Sequence, residues 1–233
     1  MSSESDLYFK QIHAGQMGNY VYLVGSQSTR EAVIVDPAWA IDGLLQLAEQ
    51  DGMKVTGALV THYHQDHIGG SIMGMEIEGV AELLARNPVP IHVNKHEADG
   101  LKKLTGAEES DLARVEGGDV IQIGQIRIRL LHTPGHTPGS QCFLVEEEGR
   151  PGSLVSGDTL FLNACGRVDL PGASPEDMYR SLNETLKRLP DDTLVFPGHA
   201  YGDENDTLGN QKQTNPFLRV SGLEQFLQFM GVG

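Results

Sequence analysis

The stretch Thr61-His62-Tyr63-His64-Gln65-Asp66-His67-Ile68-Gly69-Gly70 constrains this chain more than any other. Three histidines and an aspartate fall within six positions. Residues 55–60, just before it, form a short, mostly apolar run without helical period, which reads as a buried strand. Two glycines follow and punctuate a turn. The cluster therefore sits where a strand ends and a loop begins. Residues two apart on an extended segment share a face, so His62 and His64 can reach one ion together. Asp66 and His67 follow where the chain turns and can face a second. Neutral imidazole and carboxylate suit zinc, iron or manganese. A solvated polar loop is the plainer alternative, but four ligand-type residues at this spacing outweigh it.

Such a loop needs partners from elsewhere, and the chain offers three. His136 stands in His132-Thr133-Pro134-Gly135-His136-Thr137-Pro138-Gly139, Asp158 in Ser156-Gly157-Asp158-Thr159, and His199 in Phe196-Pro197-Gly198-His199-Ala200-Tyr201. Each follows an apolar strand-like run (126–131, 153–155 and 193–196) and is bounded by Gly or Pro. Four strand ends thus deliver ligand-type side chains to one edge of a sheet.

The order His-x-His-x-Asp-His, then His, Asp and His, resembles the metallo-β-lactamase fold superfamily, and within it the glyoxalase II-like branch of hydroxyacylglutathione hydrolases. The resemblance spans residues 62–199. It implies an α/β fold, an αββα sandwich of two mixed sheets flanked by helices. It also divides the ligands: His62, His64 and His136 on one ion, Asp66, His67 and His199 on the other, Asp158 bridging. Two divalent ions are expected, zinc first, with iron or manganese as alternatives. Asp66 and Asp158 are the expected catalytic carboxylates.

The activity that the resemblance implies is hydrolysis of a thioester or ester by a hydroxide shared between two ions. A thiolate leaves readily, so such a reaction needs no dedicated general acid. A bridging aspartate at position 158 separates this chain from most zinc β-lactamases, whereas glyoxalase II, lactonases and phosphodiesterases carry one. Lactonase and phosphodiesterase activity are therefore further alternatives. The segment after His199 is short and holds only Lys212 and Arg219 as cations, unlike the basic C-terminal region by which glyoxalase II holds glutathione. Residues 163–172 resemble instead a Gly-Arg-Thr-Asp stretch found in smaller relatives and in persulfide dioxygenases. A mononuclear iron persulfide dioxygenase, using His62, His136 and Asp158, is accordingly the competing class. A silent metal-stabilised binding module is disfavoured, since no ligand is missing. Arg167 either meets a substrate carboxylate or pairs with Asp169, the second being the preferred reading. Tyr201 is the other candidate for substrate contact.

Composition narrows the partners. Of 233 residues, 32 are acidic and 17 basic, a net charge of −15. That argues against nucleic acid and anionic membrane as partners, without excluding an anionic substrate, because bound cations dominate their own site. A small-molecule substrate is expected, and the oligomeric state is left open, a homodimer being one option. The two cysteines, Cys142 and Cys165, form no Cys-x-x-Cys pair, and Cys142 lies in an apolar run where a small buried side chain fits. Nothing demands a disulfide, the first residues are polar and acidic, and no apolar run reaches the roughly 18 residues of a membrane helix. A soluble, cytoplasmic protein is expected, with residues 1–233 as one domain.

Elsewhere, residues 7–13, 19–25 and 31–35 read as strands and 41–49 as a helix. The family resemblance implies that Asp36-Pro37 lies beneath the metal loop; a plain turn is the equal alternative. Residues 71–90 form an insertion relative to glyoxalase II. Met73, Ile77, Val80, Ala81 and Leu84 fall at helical spacing, which predicts a helix over 75–86, either a wall of the substrate pocket or a surface helix packed on the core. Residues 119–124 and 126–132 form a hairpin with Arg127 and Arg129 facing solvent. His92, His96 and His132 lie outside the ligand set. Ser174-Pro175-Glu176-Asp177 starts a helix that runs to about 188, and a last small helix covers 223–229.

Overall fold

Alternation along the strands decides the layering, because residues two apart share a face of a sheet. The computed structural model describes residues 4–231. Strands β1 (Leu7–Ala14), β2 (Asn19–Ser26) and β3 (Glu31–Val35) form an antiparallel meander. Helix α1 (Ile41–Gln50) crosses to β4 (Lys54–Val60), parallel to β3. One helical turn, α2 (Gln65–Ile68), and a small hairpin of β5 (Gly70–Ile72) with β6 (Met75–Ile77) follow. Then come α3 (Val80–Arg86), β7 (Ile91–Asn94), α4 (Ala98–Thr105) and β8 (Leu112–Val115). The first sheet has the order β1-β2-β3-β4-β7-β8.

The second sheet begins with β9 (Val120–Ile123), β10 (Ile126–His132), β11 (Gln141–Glu146) and β12 (Ser153–Gly157), all antiparallel. A two-strand excursion, β13 (Leu160–Phe161) with β14 (Ala164–Cys165), leads to helix α5 (Pro175–Arg180). Ser174 caps it by accepting from Asp177 N at 3.1 Å, and Pro175 occupies the first turn. The helical path widens over Ser181–Thr185, tightens over Leu186–Arg188, and returns as β15 (Leu194–Pro197) parallel to β12. After β16 (Asp206–Thr207), helices α6 (Leu208–Thr214) and α7 (Leu223–Met230) complete the described chain. The sheet order is β16-β15-β12-β11-β10-β9.

Three apolar layers follow from this alternation. Tyr20, Tyr22, Val24, Val33 and Val35 meet Ile126, Ile128, Leu130 and Phe143 between the sheets. The other faces of the same strands (Val21, Leu23, Ala32 and Ile34) pack under α1, α3 and α4. Leu144, Leu154 and Val195 face α5 and its continuation, α6 and α7, together with the fully buried Cys142. The result is the expected αββα sandwich. Among the described residues no helix is long and apolar enough to cross a membrane. Arg127 faces solvent as expected, whereas Arg129 is half-buried and pairs with Glu146 at 3.0 Å.

Residues 71–90 correct the sequence reading. Helix α3 starts at Val80, and what precedes it is the β5–β6 hairpin. Met73 and Gly74 make the turn, with φ of 52° and 84°. Both central residues of a tight hairpin turn need positive φ, which glycine adopts without cost and methionine does not favour. Met73 is fully exposed at the tip and is no part of a helix face. Val80 and Leu83 are buried in the outer layer of the first sheet, with Leu84 against them. The apolar side of α3 is therefore core packing, not a pocket wall. Leu83→Ala should cost about 2–5 kcal/mol of stability by emptying a core site. Denaturant melts should show that loss, while the metal content of the folded variant stays at the wild-type value.

Candidate metal centre

The seven ligand-type residues converge at one end of the sandwich. Strand β4 stops at Val60, and His62 lies just past it. His64 is the cap of α2, whose single turn closes through His67 N to His64 O at 2.9 Å and swings Asp66 and His67 inward. His136 comes from the loop between β10 and β11, Asp158 follows β12, and His199 follows β15. The sheets are stitched together at this end by backbone hydrogen bonds. Tyr20 N donates to Gly198 O at 2.8 Å, and Gln141 N to Thr61 O at 2.9 Å.

Three donor groups form, each with its atoms within 4.8 Å of one another: His62, His64 and His136; His62, His67 and Asp158; Asp66, His67 and His199. Asp158 lies between the outer two. Its Oδ1 is 3.4 Å from His67 Nε2 and 3.5 Å from His199 Nε2, and its Oδ2 is 3.6 Å from His136 Nε2. His136 Nε2 approaches His64 Nδ1 to 3.0 Å, and His67 Nε2 approaches His199 Nε2 to 3.3 Å. Two imidazole lone pairs at such separations require a proton or a metal cation between them.

Hydrogen bonds behind the rings decide which nitrogen points inward. Thr61 Oγ1 donates to Asp36 Oδ2 at 2.7 Å, so it accepts from His62 Nδ1 at 3.0 Å. His67 Nδ1 donates to Asp36 Oδ2 at 2.9 Å, His136 Nδ1 to Arg167 O at 2.8 Å, and His199 Nδ1 to Met17 O at 3.2 Å. Each of these four rings offers Nε2 to the centre, whereas His64 offers Nδ1. Such outer partners fix the tautomer that a metal ligand needs. His62 Nε2 is buried without a hydrogen-bond partner, and Asp158 Oδ1 accepts no hydrogen bond. Orphaned buried donor atoms of this kind fit a metal ion.

The charges divide the site. Burial, then the neighbouring His67, pushes His62 well below the ordinary histidine range. Burial and His136 bring His64 down to about 4. On the other side burial opposes charge, but Asp66 and Asp158 raise His67 well above its usual value. His199 rises against the same burial to about 9, through Asp158 and Asp66. Burial likewise opposes ionisation of Asp66 and Asp158, yet His67 and its neighbours hold both well below the usual carboxylate range. Without metal, protons supply the positive charge that the carboxylates require.

Residues 14–199 match the family model described as the metallo-beta-lactamase superfamily. The chain belongs to that superfamily. Its relatives include human mitochondrial persulfide dioxygenase ETHE1, 30% identical over 98% of this chain and 82% of that protein. A hydroxyacylglutathione hydrolase-like protein of Mus musculus is 35% identical over 87% of this chain and 77% of its own length. The crystal structure of ETHE1 from Myxococcus xanthus superposes with a TM-score of 0.79 at 28% identity, covering 96% of this chain and 90% of that one. TTHA1623 in a di-iron-bound form gives 0.71 at 30% identity, covering 90% and 100%. The family and fold expected from the motifs are borne out, and cluster and family together point to divalent metal ions.

Two further expectations concern this superfamily member's surroundings. The Arg167 side chain is exposed and forms a two-pronged pair with Asp169, both contacts at 2.9 Å, while its backbone carbonyl orients His136. Tyr201 is 69% exposed and stacks on His199, ring centres 4.9 Å apart, with Phe161 edge-on at 5.3 Å. It flanks the centre from the solvent side. The alternative for Asp36-Pro37 resolves in favour of the metal loop, since Asp36 Oδ1 also accepts from Thr61 N at 2.7 Å. Sequence reasoning missed Asn19, whose Nδ2 donates to Asp66 Oδ2 at 3.0 Å, and Trp39, whose Nε1 donates to Asp66 O at 3.0 Å. A cleft of about 630 Å³ lies at the far end of the second sheet, where Arg129 and Arg150 pair with Glu146 and Glu147.

The raised His67 and His199 set a pH dependence. A histidine with a folded pKa near 9 carries a proton at neutral pH and must lose it before it can bind metal. Metal uptake at neutral pH should therefore release protons, and metal affinity should rise with pH until about 9. Calorimetric titration of the metal-free protein in buffers of different ionisation enthalpy counts the protons. Affinity independent of pH across this range would contradict the assignment.

Proposed function

We propose that this chain is a dinuclear metallohydrolase acting on a thioester or ester. The observation that carries the reading is the placement of Asp158, with one carboxylate oxygen toward His67 and His199 and the other toward His136. Under this reading His62, His64 and His136 hold one ion, Asp66, His67 and His199 the other, and Asp158 joins them. Divalent ions held by these residues would supply Lewis acidity and lower the pKa of water at neutral pH.

The chain's own residues do the rest. Asp36, Thr61 and the carbonyls of Met17 and Arg167 aim four imidazoles at fixed points. Asn19 fixes one oxygen of Asp66, which stays ionised as a ligand requires. Tyr201, on His199 and beside Phe161, offers an apolar flank for an acyl group. A thiolate leaves readily without a dedicated general acid, which suits a thioester to such a site. Arg167, engaged by Asp169, would have to leave its partner to meet an anionic substrate.

A second reading is supported by the persulfide dioxygenase relatives. It needs only His62, His136 and Asp158, a two-histidine, one-carboxylate set suited to iron and oxygen. It leaves the triad of Asp66, His67 and His199 idle, although Asp36, Asn19 and Met17 orient that triad as closely as the first. Metal analysis of the purified protein separates the readings: two ions per chain support hydrolysis, one iron supports oxygenation. A panel of thioesters, esters, lactones, phosphodiesters, a β-lactam and glutathione persulfide, the last with an oxygen electrode, identifies the substrate class. Asp158→Ala should lower metal content toward one ion per chain and reduce turnover by orders of magnitude, as loss of a shared ligand requires. Two tightly held ions and normal turnover in that variant would reject the bridging role.

A further inference from the structure

One buried carboxylate outside the ligand set remains without a role. Glu97, at the start of α4, is fully buried. A buried charge is costly unless every lone pair finds a donor. Its donors come from two separate ligand loops. Tyr63 N, between His62 and His64, donates to Glu97 Oε2 at 2.8 Å. Gly139 N, three residues after His136, donates to Oε1 at 2.6 Å.

Packing reinforces the contact. A Cβ on Gly139 would lie 2.6 Å from Glu97 Cγ, so only glycine lets the loop come this close. On the other side the ring of Tyr63 lies against Gly100 of α4, where a Cβ would sit 3.1 Å from it. Helix α4 thus grips the first ligand loop through a backbone bond and a ring, and the second through the same carboxylate. The triad of Asp66, His67 and His199 is held by other groups: Asp36, Asn19 and the Met17 carbonyl.

We propose that Glu97 is a positioning residue for the triad of His62, His64 and His136, clamping the two loops that set the separation of His64 and His136. The proposal rests on the reading of those three histidines as ligands. Glu97 itself touches neither metal nor substrate. Metal–ligand distances tolerate only about ±0.2 Å, so drift of either loop would weaken one ion and spare the other. Glutamine cannot substitute, because it has one acceptor oxygen and would set its NH₂ against one of the two backbone N–H donors.

The experiment is a titration of the metal-free protein with cobalt(II) against a competing chelator, read by the cobalt ligand-field bands and by calorimetry. The wild type should take up two ions in separable steps. Glu97→Gln should weaken one step by about 10–100-fold, the scale of lost outer partners, and leave the other unchanged. Leu83→Ala, in the same outer layer, is the control for lost stability alone and should leave both steps intact. Should Glu97→Gln fail to fold, Gly139→Ala displaces the same carboxylate from the opposite side and should give the same split. Equal weakening of both steps, or of neither, in the folded variant would overturn the proposal. A wild type that binds no cobalt at the first triad would instead sink the ligand reading, and this proposal with it.

Discussion

The centre depends on one buried carboxylate, that of Asp36, which receives Thr61 N, Thr61 Oγ1 and His67 Nδ1. It sits at the end of β3 with φ of 53°, a strained conformation for a residue other than glycine. Through Thr61 it reaches His62, and directly it reaches His67, so it orients one ring of each outer triad. Strand pairing places β3 beside β4, and this single contact turns that pairing into a fixed direction for two ligands. Elsewhere the same logic recurs with backbone carbonyls in place of the carboxylate.

Crowding ligand atoms in this way is unfavourable without a cation. Nitrogen lone pairs face each other, and two ionised carboxylates are taken out of water. The sandwich tolerates this because the opposed groups are complementary: acids lie against the imidazoles that gain protons. The strain is concentrated at the end of the sandwich, where loops meet, while the interlayer cores remain apolar. Consequently the fold does not depend on the ligands for its packing, and the ligands depend entirely on the fold for their aim.

The ligand set was legible in the sequence because four of its members lie within one loop and the others each follow a recognisable strand and a Gly or Pro. The strands were legible for a related reason, since β2, β3 and β11 are short apolar runs and β10 alternates strictly over Ile126–Leu130, while their arrangement as a sandwich followed from the family resemblance. The hairpin at Met73-Gly74 was not, because methionine in a left-handed turn carries none of the Asn-Gly signal, and the apolar spacing around it imitates a helix. Asn19, Trp39 and Glu97 were invisible for a different reason. Each acts through a single hydrogen bond or clamp across tens of residues of sequence, and an isolated polar residue looks the same in a sequence whether or not it meets one. Asp36 fell between these cases, its position suggestive and its partner unknown until β3 and β4 were paired.

Among these outer residues Trp39 has a property the others lack. It is the single tryptophan of the chain, its indole N–H bonds to the carbonyl of Asp66, and its backbone N–H bonds to Glu78 of the inserted segment. Its ring also lies where any side chain on Gly15 would stand, in the loop that supplies the Met17 carbonyl. Tryptophan fluorescence from this protein therefore originates at one place, in contact with three segments that surround the centre. The molecule carries its own optical gauge of how those segments are set.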